Sequence, residues 1–207
     1  MAAGIAVVGL ADHALRDQAL KEGVPGAQHV ADVARPLGTP SVLGPALLLG
    51  AVSGLVFQRP GLTHASVRIA AGVATSAAAC GILKVTLGRL RPGEAPGDPD
   101  DFLPFSGHDS FPSGHTTVAF AAAAGIDRET TSAWVPWVVY PIASLVGWSR
   151  IHDDQHWTSD VVAGAVLGIW TSNQTQAFIR RHEATHRLGL FMSQGRHSTS
   201  FGLRETF

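Results

Sequence analysis

Four long stretches of the sequence contain no Asp, Glu, Lys or Arg, and this distribution of charge constrains the fold more than any other feature. The stretches are residues 36–58, 69–83, 130–149 and 161–179. A helix needs about 20 mostly apolar residues to cross the hydrocarbon core of a bilayer. The pattern therefore predicts an all-α helical bundle of about five to six core helices that is polytopic in a membrane.

The composition of these stretches leaves a second interpretation open. Many of their residues are Ala, Gly, Ser and Thr, and the mean hydropathy of +0.17 is low for a polytopic membrane protein. A soluble all-α domain with buried, alanine-rich helices would show the same pattern. Small residues also allow helices to pack closely in lipid, so the membrane interpretation is favoured.

Length, charge and cysteine content exclude several classes of protein. The chain of 207 residues is long enough to bury a core without disulfides or a structural metal. Its net charge of -1 argues against a general nucleic-acid binder. The single cysteine, Cys80, cannot form an internal disulfide, and its alanine-rich surroundings indicate a small packing residue. The oligomeric state is not indicated by the sequence.

We divide the chain into an amphipathic N-terminal helical segment (1–40), a helical-bundle domain (41–187) and a C-terminal tail (188–207). Residues 2–10 are apolar, but they lack the basic region of a signal peptide and are too short to span a membrane. Helices are predicted at about 41–57, 66–90, 114–126, 133–149 and 157–179. Residues 92–112 are rich in Pro and Gly, so they predict a long irregular loop. Such a loop between two apolar helices is a candidate functional segment.

Helix parity predicts which loops share a side of the membrane. If the five core helices all cross, loops 84–113 and 150–159 lie on one side. The opposite side carries five arginines, namely Arg59, Arg128, Arg180, Arg181 and Arg187. Cytoplasmic loops carry an excess of Lys and Arg, so that opposite side is predicted to be cytoplasmic. The two polar loops are then expected to converge on the extracytoplasmic face.

The first candidate cluster is formed by Lys84 and Arg91. On a continuous helix, seven residues are about 20° short of two full turns, so both side chains would project from one face, with Arg89 well off that line. Two cations on one face repel each other unless an anion lies between them. An alternative is that both residues simply extend their charged groups towards the membrane surface from a helix end.

The second cluster, Ser113-Gly114-His115, directly precedes a predicted helix. Ser113 is well placed as the N-cap, and Gly114 permits close approach of a ligand to the backbone. The start of a helix presents unpaired N–H groups and a partial positive charge, which together suit an anion. His115 would then donate a proton to a bound group. The alternative is an ordinary capped helix with a surface histidine.

The third cluster contains Arg150, His156 and Asp160. His156 and Asp160 are four residues apart, so on a helix Asp160 would accept a hydrogen bond from one ring nitrogen and leave the other free as a nucleophile. The planar guanidinium of Arg150 suits phosphate oxygens.

A rival interpretation of the third cluster makes His152, Asp153 and Asp154 metal ligands together with His156. The sequence contains no evident second set of His or Cys ligands, and the nearby cations would oppose a divalent ion. Metal binding is therefore disfavoured.

Together the clusters have the order Lys-x6-Arg-Pro, Pro-Ser-Gly-His and Ser-Arg-x5-His-x3-Asp. This order resembles the type 2 phosphatidic acid phosphatase superfamily, which also contains bacterial class A acid phosphatases and vanadium haloperoxidases. Every defining position between Lys84 and Asp160 is filled. The resemblance implies a phosphoric monoester or diphosphate hydrolase that needs neither a metal nor another cofactor.

The resemblance also implies a role for each motif residue. His156 would attack phosphorus to give a phosphohistidine, Asp160 would orient its ring, and His115 would protonate the leaving group. The phosphoryl oxygens would be bound by Lys84, Arg91, Ser113, Gly114 and Arg150. Water would then hydrolyse the intermediate.

We expect the substrate to be a lipid phosphate or diphosphate, of the phosphatidic acid, phosphatidylglycerol phosphate or undecaprenyl diphosphate type, cleaved at the extracytoplasmic membrane surface. The acidic residues of the long loop would disfavour highly anionic substrates; they are Asp98, Asp100, Asp101 and Asp109. Three alternatives remain: a soluble secreted or periplasmic acid phosphatase of broad specificity, a vanadate-dependent haloperoxidase, and a non-catalytic transporter or scaffold.

Overall fold

The computed structural model describes residues 12–21, 25–94, 99–185, 188–195 and 198–205. Seven α-helices lie within these residues: α1 (Asp12–Lys21), α2 (Ala27–Ala34), α3 (Pro40–Val56), α4 (Pro60–Leu87), α5 (Gly114–Glu129), α6 (Pro136–His152) and α7 (Thr158–Thr185). A 3-10 turn at Arg35–Gly38 joins α2 to α3. Two antiparallel strands follow the bundle, β1 (Leu188–Gly195) and β2 (Ser198–Glu205), with Leu188 opposite Glu205.

Helix α5 lies at the centre of the bundle and packs against α4, α6 and α7. Its buried residues are mainly alanine and threonine, with Val118 and Gly125. Small side chains allow the neighbouring helices to approach closely. At Gly164 of α7, a Cβ atom would lie 2.7 Å from the main-chain oxygen of Ser113. Only glycine therefore permits this close contact between α7 and the start of α5.

The outer surface of the bundle exposes many large apolar side chains. They include Leu48, Leu49, Phe57, Ile82, Val85, Trp137 and Phe178. An apolar surface of this extent is typical of contact with lipid or another protein. Among the described helices, only α4 is long and apolar enough by itself to cross a membrane. The segment from α2 to α3 passes the same test only as a pair bent by 56°.

The predicted helical bundle is confirmed, with core helices close to the predicted positions. The N-terminal segment also forms helices, and α2 packs against α6; the apolar residues 2–10 lie outside the described residues. Helix α3 begins at Pro40 and β1 at Leu188, beside the predicted region boundaries. The division into three domains itself stays a prediction.

The helix predicted at 66–90 is wrong at both ends, since α4 begins at Pro60 and ends at Leu87. Gly88 terminates it with a left-handed backbone (φ 59°), and its N–H donates to the Lys84 carbonyl. The chain then runs extended, and Arg89 forms a β-bridge with Phe102. Lys84 and Arg91 therefore do not share a helix face, and the helical reason for their proximity is wrong.

Candidate active site

A cavity of about 270 Å³ opens where the end of α4 meets the start of α5. Lys84, Gly114 and His115 line it, together with Cys80 and Val118. Two of the three sequence clusters therefore contribute to one cavity. The cavity is polar at the Lys84 and His115 side chains and otherwise apolar.

Asp109 brings the cations of the first cluster together. Its Oδ1 atom accepts from Nε and Nη2 of Arg91 at 3.0 and 2.9 Å. Lys84 donates to the Asp109 main-chain carbonyl, and its Nζ lies 3.7 Å from Oδ2. Burial raises the pKa of Asp109, but Lys84 and Arg91 lower it more, so the net pKa lies below its ordinary value. A carboxylate thus occupies the position between two cations that the sequence predicted for an anion.

The start of α5 contains the second cluster. Ser113 occupies the N-cap position and is fully buried, but its side chain makes no capping hydrogen bond. Its hydroxyl accepts from Thr116 Oγ1 at 2.9 Å, and its main-chain N–H donates to the Asp160 carbonyl at 3.0 Å. A Cβ atom at Gly114 would lie 3.6 Å from Lys84 Cε. The first turn of α5 is therefore directly beside a cation of the cavity.

His156 lies in the loop between α6 and α7, and only 5% of its surface is exposed. Its Nδ1 atom is 3.6 Å from Asp160 Oδ2, which is longer than a hydrogen bond. Burial lowers the pKa of His156 below 6.5; Asp160 opposes this effect, while Lys84 and Arg91 add to it. The imidazole is therefore neutral at neutral pH, as a nitrogen nucleophile must be. The predicted helical His156–Asp160 hydrogen bond is not formed.

Asp160 is instead held by three donors. Arg89 Nη1 forms a short ion pair with Oδ1, while Ser110 Oγ and the Trp157 N–H donate to Oδ2 at 2.6 and 2.9 Å. Sequence reasoning missed Arg89 because it set this residue aside as lying off the Lys84 helix face. The available signal was an arginine without a local acidic partner, which when buried must pair with a distant carboxylate.

Arg150, at the end of α6, is also buried. Its Nη1 donates to Asp153 Oδ2 at 3.0 Å, and Arg35 pairs with the same carboxylate at 2.8 Å. Its Nε atom has no hydrogen-bond partner within the described parts of the chain. His115 is close enough to Arg150 to interact with it electrostatically.

All of the predicted site residues therefore lie together at one end of the bundle. They are Lys84, Arg91, Ser113, Gly114, His115, Arg150, His156 and Asp160. Electrostatic interactions connect the histidines and the cations across the three clusters, and one backbone hydrogen bond connects Ser113 to Asp160. The arrangement can bind an anion beside a neutral histidine.

The alternative metal ligands have other partners. Asp153 pairs with Arg35 and Arg150, while Asp154 forms a bidentate pair with Arg16. The ring of His152 stacks on Trp148, with centroids 4.9 Å apart. Among residues 12–21, 25–94 and 99–185, no group of three His, Cys, Asp or Glu side chains is arranged to hold a metal.

Comparison with known families decides the membership of the chain. The model of the PAP2 superfamily matches residues 65–182, more than half of the chain and the whole of the three clusters. The chain belongs to the PAP2 superfamily. The resemblance inferred from its motifs is thereby confirmed. Helices α1, α2 and α3 lie outside the matched residues.

Curated PAP2 relatives are similar to part of the chain. Lipid A 1-phosphatase of Porphyromonas gingivalis is 40% identical over 88 residues, which are 42% of this chain and 17% of that protein. Lipid A 1-phosphatase of Rhizobium johnstonii is 35% identical over 107 residues, 48% of this chain and 42% of that protein. The matches therefore cover less than half of each relative.

The fold is similar to that of a solved PAP2 structure. The transmembrane PAP2 type phosphatidylglycerolphosphate phosphatase of Bacillus subtilis matches with a TM-score of 0.66. The match is 24% identical and covers 86% of this chain and 92% of that chain. The overall fold is therefore that of a PAP2 helical bundle.

Proposed function

We propose that the chain is a multi-pass membrane phosphatase that hydrolyses a lipid phosphate through a phosphohistidine at His156, without a metal. The observation that carries this proposal is the convergence of cationic side chains on a buried, neutral histidine. Lys84 and Arg91 already hold a carboxylate between them, and a phosphate carries the same sign of charge.

The cations have an electrostatic role in the reaction. Lys84, Arg91 and Arg150 bind the equatorial oxygens of the transferring phosphoryl group, where negative charge is concentrated. At the first turn of α5, Ser113 adds its hydroxyl group, Gly114 adds its backbone N–H, and the helix start adds a partial positive charge. Such preorganised donors supply most of the catalysis in phosphoryl transfer.

The histidines carry out the bond changes. Because Nδ1 of His156 faces Asp160, Nε2 attacks phosphorus; a P–N bond forms as the P–O bond to the lipid breaks. His115 gives its proton to the departing oxygen. His115 then removes a proton from water, whose oxygen attacks phosphorus, and inorganic phosphate and neutral His156 are released.

A groove along the bundle supports a lipid substrate. Apolar residues of α3 and α4 line a volume of about 370 Å³, including Leu47, Leu48, Val67, Ala70 and Val73. This groove shares Pro40 and Ala77 with the cavity at Lys84. A phosphate bound in the cavity would place an attached acyl chain in the groove. The lipid A 1-phosphatase relatives favour a phosphate on a lipid anchor.

Among the described helices only α4 is long and apolar enough to cross by itself, and we also propose that α3–α7 each cross the membrane as one packed bundle, with the site on the extracytoplasmic side. The exposed apolar side chains support the crossings. The arginine-rich end opposite the site supports the orientation, because Arg68, Arg128 and Arg180 lie there around Glu129. If alkaline carbonate released the chain from membranes, the proposal of an integral protein would fail.

The function is tested by phosphate release from a panel of detergent-solubilised substrates. The panel contains phosphatidic acid, phosphatidylglycerol phosphate, undecaprenyl diphosphate, a lipid A 1-phosphate and a water-soluble aryl phosphate. We expect lipid substrates to be preferred and the wild type to release phosphate in the presence of a chelator. We expect His156→Ala to abolish this release. Wild-type release by His156→Ala would refute the mechanism, and equal activity on the soluble ester would favour the broad-specificity alternative.

A further inference from the structure

A buried ion triad connects the N-terminal helix α1 to the site. Arg89 Nη2 donates to Asp12 Oδ2 at 2.9 Å, and Arg89 Nη1 pairs with Asp160. The exposed fraction of the side chain is 2% for Arg89 and 0% for both carboxylates. The sequence positions of Asp12 and Arg89 differ by 77 residues, and Asp12 lies outside the region matched by the family.

Asp12 also binds the start of α7. Its Oδ1 accepts from the Ser159 N–H at 2.8 Å, and its Oδ2 accepts from the Ser159 hydroxyl at 2.5 Å. A carboxylate at a helix start satisfies unpaired N–H groups and the partial positive charge there. The adjacent residue in this turn is Asp160. Asp12 therefore restrains both the charge partner and the backbone of Asp160.

Two further contacts hold α1 against the same loop. Arg16 forms a bidentate pair with Asp154 at 2.6 and 2.8 Å, and its guanidinium lies 5.8 Å from the Trp157 ring centre. His13 packs edge-on against Trp157. Together with Asp12, these contacts restrain the loop on both sides of His156.

The charges in the triad affect His156. Asp160 alone would present one negative charge to the ring, but a single positive charge on Arg89 would balance it. Asp12 balances Arg89 in turn, so the triad as a whole keeps one net negative charge beside His156. That charge stabilises the positive charge that develops on the imidazole when Nε2 attacks phosphorus.

We propose that Asp12 and Arg89 are positioning residues for phosphoryl transfer, which hold Asp160 in place and preserve its charge towards His156. This role assumes the proposed function, because it requires His156 to be the nucleophile. Arg89 fixes the Asp160 carboxylate, and Asp12 neutralises Arg89 while it holds the start of α7. Helix α1 is then part of the catalytic apparatus.

The test compares Asp12→Asn with Asp17→Asn, a control on the exposed side of α1. We expect Asp12→Asn to lower kcat roughly tenfold or more with little change in KM, since misplacement by about 1 Å can reduce a rate about 10²-fold. Asp17→Asn should behave as wild type. Wild-type kcat in a folded Asp12→Asn protein would overturn the inference.

A pH profile separates this role from a loss of folded protein. Without Asp12, Arg89 cancels more of the Asp160 charge, so the pKa of His156 falls and the acid limb of kcat/KM moves to lower pH. The other groups that face His156 are unchanged by the substitution; they are Lys84, Arg91, Asp109 and His115. An unchanged acid limb would contradict the electrostatic part of the inference.

Ser159→Ala decides the outcome if Asp12→Asn does not fold. This change removes the hydroxyl that contacts both Asp12 and Arg89 without changing any charge. A lower kcat at unchanged KM would support the inference, and a wild-type kcat would overturn it. His156→Ala distinguishes failure of this inference from failure of the proposed function. If His156→Ala is active, the proposed function itself fails.

Discussion

Arg89 and Arg91 are two residues apart, yet their ion pairs lie in opposite environments. Arg91 pairs with Asp109 beside Lys84, where the exposed fractions of the Arg91 and Asp109 side chains are 30% and 49%. Arg89 pairs with Asp12 and Asp160 in the interior, where these fractions are 2%, 0% and 0%. An exposed ion pair contributes about 0–1 kcal/mol, whereas removing one partner of a buried pair destabilises by about 3–5 kcal/mol.

The difference teaches which ion pair can take part in binding. The Arg91–Asp109 pair can open at small energetic cost, so an incoming phosphate can replace the carboxylate. The Arg89 triad cannot open without leaving buried charges unpaired. One arginine is therefore suited to bind substrate, and its neighbour is suited to hold the Asp160 carboxylate in place.

The largest effect is expected for Arg89→Gln. This change leaves Asp12 and Asp160 buried without their cation, so we expect a loss of about 3–5 kcal/mol in the free energy of unfolding. Denaturant unfolding in detergent micelles measures the change. Arg59→Gln, at an exposed position, is the matched control. If Arg89→Gln loses no more free energy of unfolding than Arg59→Gln, the contrast between Arg89 and Arg91 is contradicted.

Arg91→Gln is expected to act on binding and to leave stability nearly unchanged. Loss of a charged hydrogen-bond donor to phosphate removes about 1.5–3 kcal/mol, so KM should rise roughly 10- to 100-fold. Phosphate-release kinetics measure KM, and the unfolding assay measures stability. A large loss of stability with normal KM would reverse the assignment of the two arginines.

Asp109→Asn is expected to strengthen phosphate binding. The carboxylate competes with the substrate for Lys84 and Arg91, so its neutralisation should lower the inhibition constant of inorganic phosphate several-fold. The pKa of Asp109 lies below 3.8, so the competition should persist throughout an assay from about pH 5 to 8. Weaker inhibition by phosphate in this variant would show that Asp109 assists binding.

The smallest expected effect is on the acid limb of the pH profile. Burial holds the pKa of His156 below 6.5, so we expect the acid limb of kcat/KM in the wild type to be centred below pH 6.5. Asp160→Asn removes a charge that raises this pKa, and the acid limb should then move to still lower pH while kcat falls. A limb centred above pH 6.5 in the wild type would contradict a buried, neutral His156.

Much of the site could be predicted from the sequence because its residues belong to motifs with a recognisable order and spacing. The order and spacing of Lys84, Arg91, His115, Arg150 and His156 are enough to indicate a phosphate site. The predicted helical geometry that was to bring these residues together was less accurate. Gly88 ends α4 early, so Arg91 reaches Lys84 through the loop and Asp109. His156 precedes α7, so its ring is not held by a helical hydrogen bond to Asp160.

The sequence by itself determined the helical bundle and predicted the candidate phosphate-site residues, because apolar stretches and motif spacing are local properties of the chain. Only the tertiary structure decided the partners of Asp160 and the contribution of α1. Asp12, Arg89 and Asp160 are far apart in sequence, and no periodicity connects them. Their pairing arises because burial requires each charge to find a partner when the helices pack.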